Sequence, residues 1–198
     1  ILVSKDGQFS FWKWMVNAHG FKDEQVKPYA YNLAQFLQDE KMVQQAYGTA
    51  EPIYAAAAGA KPETYLLADH GWTTYSTTIE ARSEMVEKNP DLVQRFMNAS
   101  IEGWYNFLYG DRTAAYGLIM KDNPEMTKEK LDKEMAQFEK LGIIDVDDAL
   151  TKGIGALDME RVKAFHKLAI DSGIIDEGSV DIQKVATDKF VNKGHGLD

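Results

Sequence analysis

The side chains able to do chemistry in this chain gather in three short stretches. The first is Ser4-Lys5-Asp6-Gly7-Gln8-Phe9-Ser10-Phe11-Trp12, preceded by the apolar Ile1-Leu2-Val3 and followed by an amphipathic run through Trp14, Met15, Val16 and Ala18. That order reads as strand, tight turn, helix, with Gly7 able to take a backbone conformation other residues resist. Such a turn leaves the first N–H groups of the helix unpaired, where they bind a polar or anionic group. Asp6, Gly7 and Gln8 stand at those donors. Phe9, Phe11 and Trp12 put flat apolar surface beside them. Neighbours on a helix point different ways, so one of the three faces a ligand and the others join the core. A turn of this kind is also ordinary connective structure, and its weight comes from the other two stretches.

The second stretch is Tyr47-Gly48-Thr49-Ala50-Glu51-Pro52, a turn into a helix with Pro52 at its first position and alanines at 55–58. Glu51 either accepts hydrogen bonds from a ligand amino group or supports its own helix start. The third is His70-Gly71-Trp72-Thr73-Thr74-Tyr75. Trp72 and Tyr75 either stack on a planar ligand or pack a hinge. The four histidines, His19, His70, His166 and His195, are far apart and lack metal-ligand spacing. No nucleophile–base pairing and no lysine-bearing phosphate loop is signalled. The reading is therefore binding rather than catalysis, with no cofactor and no metal.

Composition sets the outer limits. A chain of 198 residues, 44% hydrophobic and 27% charged, reads as an ordinary globular protein of one large domain or two small ones. A formal charge of −9 argues against a nucleic-acid partner, since there is no basic face to neutralise phosphates. With no cysteine, disulfides and thiolate chemistry are excluded. No apolar run approaches membrane-spanning length. No signal peptide is visible, and the opening Ile-Leu-Val without Met reads as a processed or truncated start.

The elements that must position the three stretches are read from periodicity. Gly20 caps the first helix. Residues 26–31 form a second short strand, with Pro28 marking an edge position. Residues 36–47 read as a helix striped by Phe36, Leu37, Met42, Val43 and Ala46. After the helix ended by Gly59 comes a short strand at 64–67, and strand-forming residues continue through Ile79. Strands alternating with helices predict a parallel sheet covered on both faces, with ligands at the carboxyl ends of the strands. From Ala81 onward nearly everything reads as helix. Asn89-Pro90-Asp91 starts a long one with Leu92, Phe96, Ile101, Trp104 and Phe107 on its apolar side, all expected in the core. Further helices are expected at 112–120, at 127–141 with Gly142 as stop, and from an Asp158 cap through Ala169. The tail at 180–191 is a short helix or extended. The division expected is 1–72 as a compact α/β lobe and 73–198 as one strand with helices that have no sheet of their own.

Three strings resemble the substrate-binding proteins of ABC transporters in the nitrate/sulfonate/taurine and thiamine-pyrimidine-precursor superfamily. They are Ile1-Leu2-Val3-Ser4-Lys5-Asp6-Gly7, Thr49-Ala50-Glu51-Pro52 and Glu87-Lys88-Asn89-Pro90-Asp91-Leu92-Val93-Gln94-Arg95-Phe96. The resemblance implies an α/β, periplasmic-binding-protein-like (type II) fold of two lobes, of which this chain would hold the carboxyl-terminal two-thirds. Residues 1–72 would be the second lobe; 73–198 would be the return crossing and the helices of a first lobe whose amino-terminal part is absent. It also implies a small-molecule ligand between lobes, an ABC permease as membrane partner, and a periplasmic or membrane-anchored extracellular setting. Carried over by position, the ligand contacts are Asp6, Gly7, Gln8, Phe9 and Trp12 on the first loop, Tyr47, Thr49 and Glu51 on the second, and Trp72 and Tyr75 at the crossing. The first loop is more aromatic than the small Gly/Ser-rich version of many relatives, which favours a planar heterocycle over a bare anion. An enzymatic branch of the superfamily carries a cysteine cluster at the crossing, where this chain has Trp72-Thr73-Thr74-Tyr75.

Overall fold

The computed structural model describes residues 1–197. The chain divides into two contact units. The first joins Ile1–Thr74 to Glu160–Val185, and the second joins Tyr75–Met159 to the segment from Ala186 onward. Residues 160–185, which the sequence reading grouped with the later helices, thus cluster with the amino-terminal part.

The first unit is built around a two-residue strand. β1 (Leu2–Val3) is at most 1% exposed and pairs in parallel with β2 (Lys27–Pro28), in the register Leu2↔Lys27 and Val3↔Pro28. On its other side Leu2 bridges Gln44, also in parallel, through Leu2 N–H to the Val43 carbonyl and Gln45 N–H to the Leu2 carbonyl, each 2.8 Å. Three parallel segments therefore end side by side. Pro28 sits on an exposed edge, where its missing N–H leaves no gap in the ladder. From β1 the chain enters α1 (Lys5–Phe9) directly, breaks at Ser10, and continues as α2 (Phe11–His19), which Gly20 ends in the left-handed conformation, φ 71°. α3 (Glu51–Ala57) starts with Pro52 in its first turn. α9 (Met159–Asp171, numbered in chain order) and the single turn α10 (Ile182–Val185) complete the unit. Arg161 on α9 donates to the carbonyls of Thr73 (2.8 Å) and Thr74 (3.2 Å), and the Phe165 ring meets Trp72 edge-on at 5.0 Å.

Two expected elements here are corrected. Residues 36–47 are not a helix; only a 3-10 turn forms at Phe36–Gln38. The helical stripe was real, but a helix through Val43 and Gln44 would forfeit their pairing with the central strand, and tertiary pairing overrides a weak local preference. Residues 64–67 are not a strand. Tyr65 is 75% exposed, no segment among the described residues pairs with it as a strand, and a 3-10 turn follows at Leu67–His70. The strand expected through Ile79 is likewise absent among the described residues.

The second unit is helical: α4 (Ser83–Lys88), α5 (Pro90–Tyr109), α6 (Thr113–Asp122), α7 (Lys128–Leu141) and the short α8 (Ala149–Lys152). Ile101, Leu108, Tyr116, Leu131, Met135 and Ile154 form its core. Pro90 opens α5, although the Asn89 side chain makes no capping bond. Arg112 closes the other end by donating to the carbonyls of Phe107 and Leu108. Thr127 caps α7 through its hydroxyl, and Gly142 ends it at φ 56°. On α5 only one side is covered: Ile101 and Leu108 are buried, whereas Phe96 is 59% exposed and Leu92 and Trp104 also lie open. Phe96 therefore lies outside the core that the stripe predicts. The chain's last segment straps across this unit, with Asn192 bonded reciprocally to Leu157, Gly194 N–H to the Lys152 carbonyl, and His195 to Glu102 at 2.8 Å.

Candidate functional site at the carboxyl edge of the parallel segments

Ligands of parallel α/β units bind beyond the carboxyl ends of the strands. In the first unit those ends deliver Ser4, Tyr29 and Gln45, followed by Tyr31, Tyr47 and Glu51. Ser4 is the fixed point, being 1% exposed. Its N–H donates to Gln45 Oε1 (2.9 Å) and its Oγ accepts from Gly7 N–H (3.1 Å). Gln8 turns back, its side-chain amide donating to the Val3 carbonyl at 3.1 Å. The donors expected to face a ligand at Gly7 and Gln8 are therefore engaged within the turn itself. Gly7 has a packing reason to be glycine: a Cβ there would lie 2.6 Å from the Phe11 ring and 2.7 Å from Gln45 Oε1.

The second and third segments meet at Glu51. Tyr29 Oη donates to Glu51 Oε1 at 3.2 Å, and Tyr47 N–H donates to Glu51 Oε2 at 2.8 Å. One carboxylate thus ties the end of β2 to the turn before α3, and both oxygens are held by neutral donors. Burial first, and the Glu51 carboxylate second, push the Tyr29 phenol up to about 12. Tyr31 lies against Tyr29 with ring centroids 5.1 Å apart, and takes a left-handed backbone, φ 54°, that bulky residues rarely adopt. Phe9, Tyr31 and Tyr47 are each more than 60% exposed. The edge is therefore a carboxylate between two anchored tyrosine segments, with the exposed Tyr31 ring beside Tyr29.

The other residues named from sequence fall as follows. Asp6 is exposed, and its carbonyl accepts from the Ser10 hydroxyl. Thr49 is half-buried in the turn before α3. Trp12 is core, 3% exposed with its indole N–H on Asp23 (2.9 Å), so Phe9 is the open aromatic of the first loop. Trp72 packs among Phe11, Trp14 and Phe165. Tyr75 belongs to the second unit, where its hydroxyl accepts from Asp158 N–H at 2.9 Å. Sequence reading missed Tyr29 and Tyr31. The strand-end rule that pointed to the turns around Gly7 and Gly48 applies equally to the residues after Pro28. Among the described residues no group of three or more His, Asp or Glu side chains could hold a metal ion.

The family model described as NMT1/THI5 like matches residues 3–115, more than half of the chain. The chain belongs to the NMT1/THI5-like family. No curated protein and no solved structure matches it. NMT1/THI5-like membership implies a periplasmic-binding-protein-like fold, and here that fold shows a small parallel sheet within a mostly helical chain. The family consists mainly of substrate-binding proteins, typically extracellular or periplasmic, that work with an ABC permease. Among the described residues no helix is long and apolar enough to cross a membrane. The matched span contains all three strand-end segments and every site residue expected from sequence.

Proposed function

We propose that this protein is the solute-binding component of an ABC importer and captures a small, polar, planar heterocycle of the thiamine-pyrimidine-precursor type. The observation that carries this reading is the convergence of the Tyr29 and Tyr47 segments on Glu51, with the exposed Tyr31 ring beside Tyr29. A flat ring gains from stacking on aromatic faces, while a carboxylate with free lone pairs accepts from ring amino groups. In this reading the ligand is enclosed by closure of two lobes, which removes it from water. The permease then receives it at the outer face of the membrane. Taurine, which carries an ammonium group, fits Glu51 as a second ligand class. Nitrate fits it worse, since a bare anion would approach an uncompensated carboxylate.

Titration calorimetry with an aminopyrimidine, taurine, a simple sulfonate and nitrate tests the reading. Aminopyrimidine binding that weakens on Tyr47→Ala is the expected result. Binding of nitrate alone, or of none of the four, would refute it.

A further inference from the structure

Among the described residues Glu51 has two neutral donors, and no lysine, arginine or histidine forms an ion pair with it. Tyr29 Oη and Tyr47 N–H fix the carboxylate's orientation without neutralising it. Each of its oxygens keeps lone pairs for a further donor. Tyr31, 68% exposed, lies with its ring 5.1 Å from that of Tyr29, the phenol bonded to Glu51, and takes a left-handed backbone that costs free energy and so needs a compensating reason. Aromatic faces beside a carboxylate make a receptor for a positive charge, which gains from the ring quadrupole and from the carboxylate together.

We infer that the ligand of this edge carries a protonated amino group, seated between the Glu51 carboxylate and the Tyr31 ring, with Tyr29 as the residue that positions the carboxylate. This rests on the solute-binding reading and narrows its ligand to cations and zwitterions. Tyr29 acts only as a neutral donor, which its raised pKa maintains throughout the physiological range. The Tyr31 ring supplies the apolar wall, and the ligand's ammonium supplies the charge that the chain does not provide.

Two matched pairs of probes test it: an aminomethyl-pyrimidine with its hydroxymethyl analogue, and taurine with isethionate. Within each pair only the ammonium is exchanged for a hydroxyl. In whichever pair binds, the ammonium member should bind at least about tenfold tighter, because its donor carries a positive charge opposite the carboxylate, which the hydroxyl lacks. Glu51→Gln keeps the shape and should reduce that preference to about twofold or less, with thermal melting confirming a folded variant. Tyr31→Ala should weaken the ammonium member, with thermal melting confirming that the variant stays folded. If a pair binds with no preference for its ammonium member, or the preference survives in Glu51→Gln, the charge inference falls while solute binding stands. If neither pair binds, both fall.

Discussion

Gly7→Ala probes how tightly the first turn is built into the site. The backbone at Gly7 is helical, so alanine is not excluded by conformation, and in a helix it would ordinarily gain roughly 0.5–1 kcal/mol over glycine. Here the new methyl would sit 2.7 Å from Gln45 Oε1 and 2.6 Å from the Phe11 ring. Either the ring swings away from Trp72, its neighbour at 6.5 Å, or Gln45 withdraws from Ser4 N–H. Ser4 is buried, and a buried N–H left unpaired costs about 1–3 kcal/mol. Subtracting the helical gain leaves a net loss of about 0–2.5 kcal/mol, centred near 1 kcal/mol. At that central value the melting temperature of a chain of this size falls by about 2–4 °C. The control is Gly117→Ala in α6, where a Cβ meets nothing within 4 Å, and where the melt should rise slightly. Calorimetric or circular-dichroism melts of the two variants therefore move in opposite directions. A Gly7→Ala protein that melts at or above wild type would show that Gln45 and Phe11 give way freely, and the description of the turn would be wrong.

Tyr29 gives a pH signature. Its phenol is about 12 in the folded protein against 10.0 for the free group, so the folded state holds the proton more tightly. That contribution to stability is complete below pH 10 and is lost as the pH rises from 10 to 12. An ultraviolet titration should show a late-titrating phenol that disappears in Tyr29→Phe, while Tyr116, also pushed up first by burial, stays. Trp72→Ala should destabilise the first unit by about 3 kcal/mol, since it removes the ring that Phe11, Trp14 and Phe165 pack against; an unchanged urea midpoint would contradict that packing. The open apolar side of α5 should make the isolated chain self-associate. Sedimentation velocity should show Phe96→Gln reducing that association, and a wild-type chain that stays monomeric would exclude the patch as sticky.

Local chemistry made the helix boundaries readable. Gly20, Pro90, Thr127 and Gly142 act within one turn of themselves, through a left-handed backbone, a fixed φ or a hydroxyl cap, and each stands where its residue type indicates. The stretch 36–47 was not readable, because its fate depends on Leu2, more than thirty residues earlier, which draws Val43 and Gln45 into pairing. The site was legible in part for the same reason. Glu51 and Tyr47 were visible as a turn entering a helix, and Gly7 as a turn leaving a strand. That Ser4 takes the Gly7 donor is a local helix cap that the serine itself signals, whereas that Tyr29 would reach Glu51 from 22 residues away depends on a strand register that no local signal specifies.

Each unit is closed by a segment that follows, in sequence, the residues it covers. The α9 ring of Phe165 covers Trp72, and Arg161 holds the carbonyls of Thr73 and Thr74; Asn192 clasps Leu157 from the far end of the sequence. On the ribosome, the stretch between Thr74 and Glu160 takes several seconds to emerge at roughly 5–20 residues per second. Throughout that interval Trp14 and Trp72 wait without their partner helix, an open target for chaperones. A stop codon after Met159 would leave two unfinished units rather than one finished and one lost.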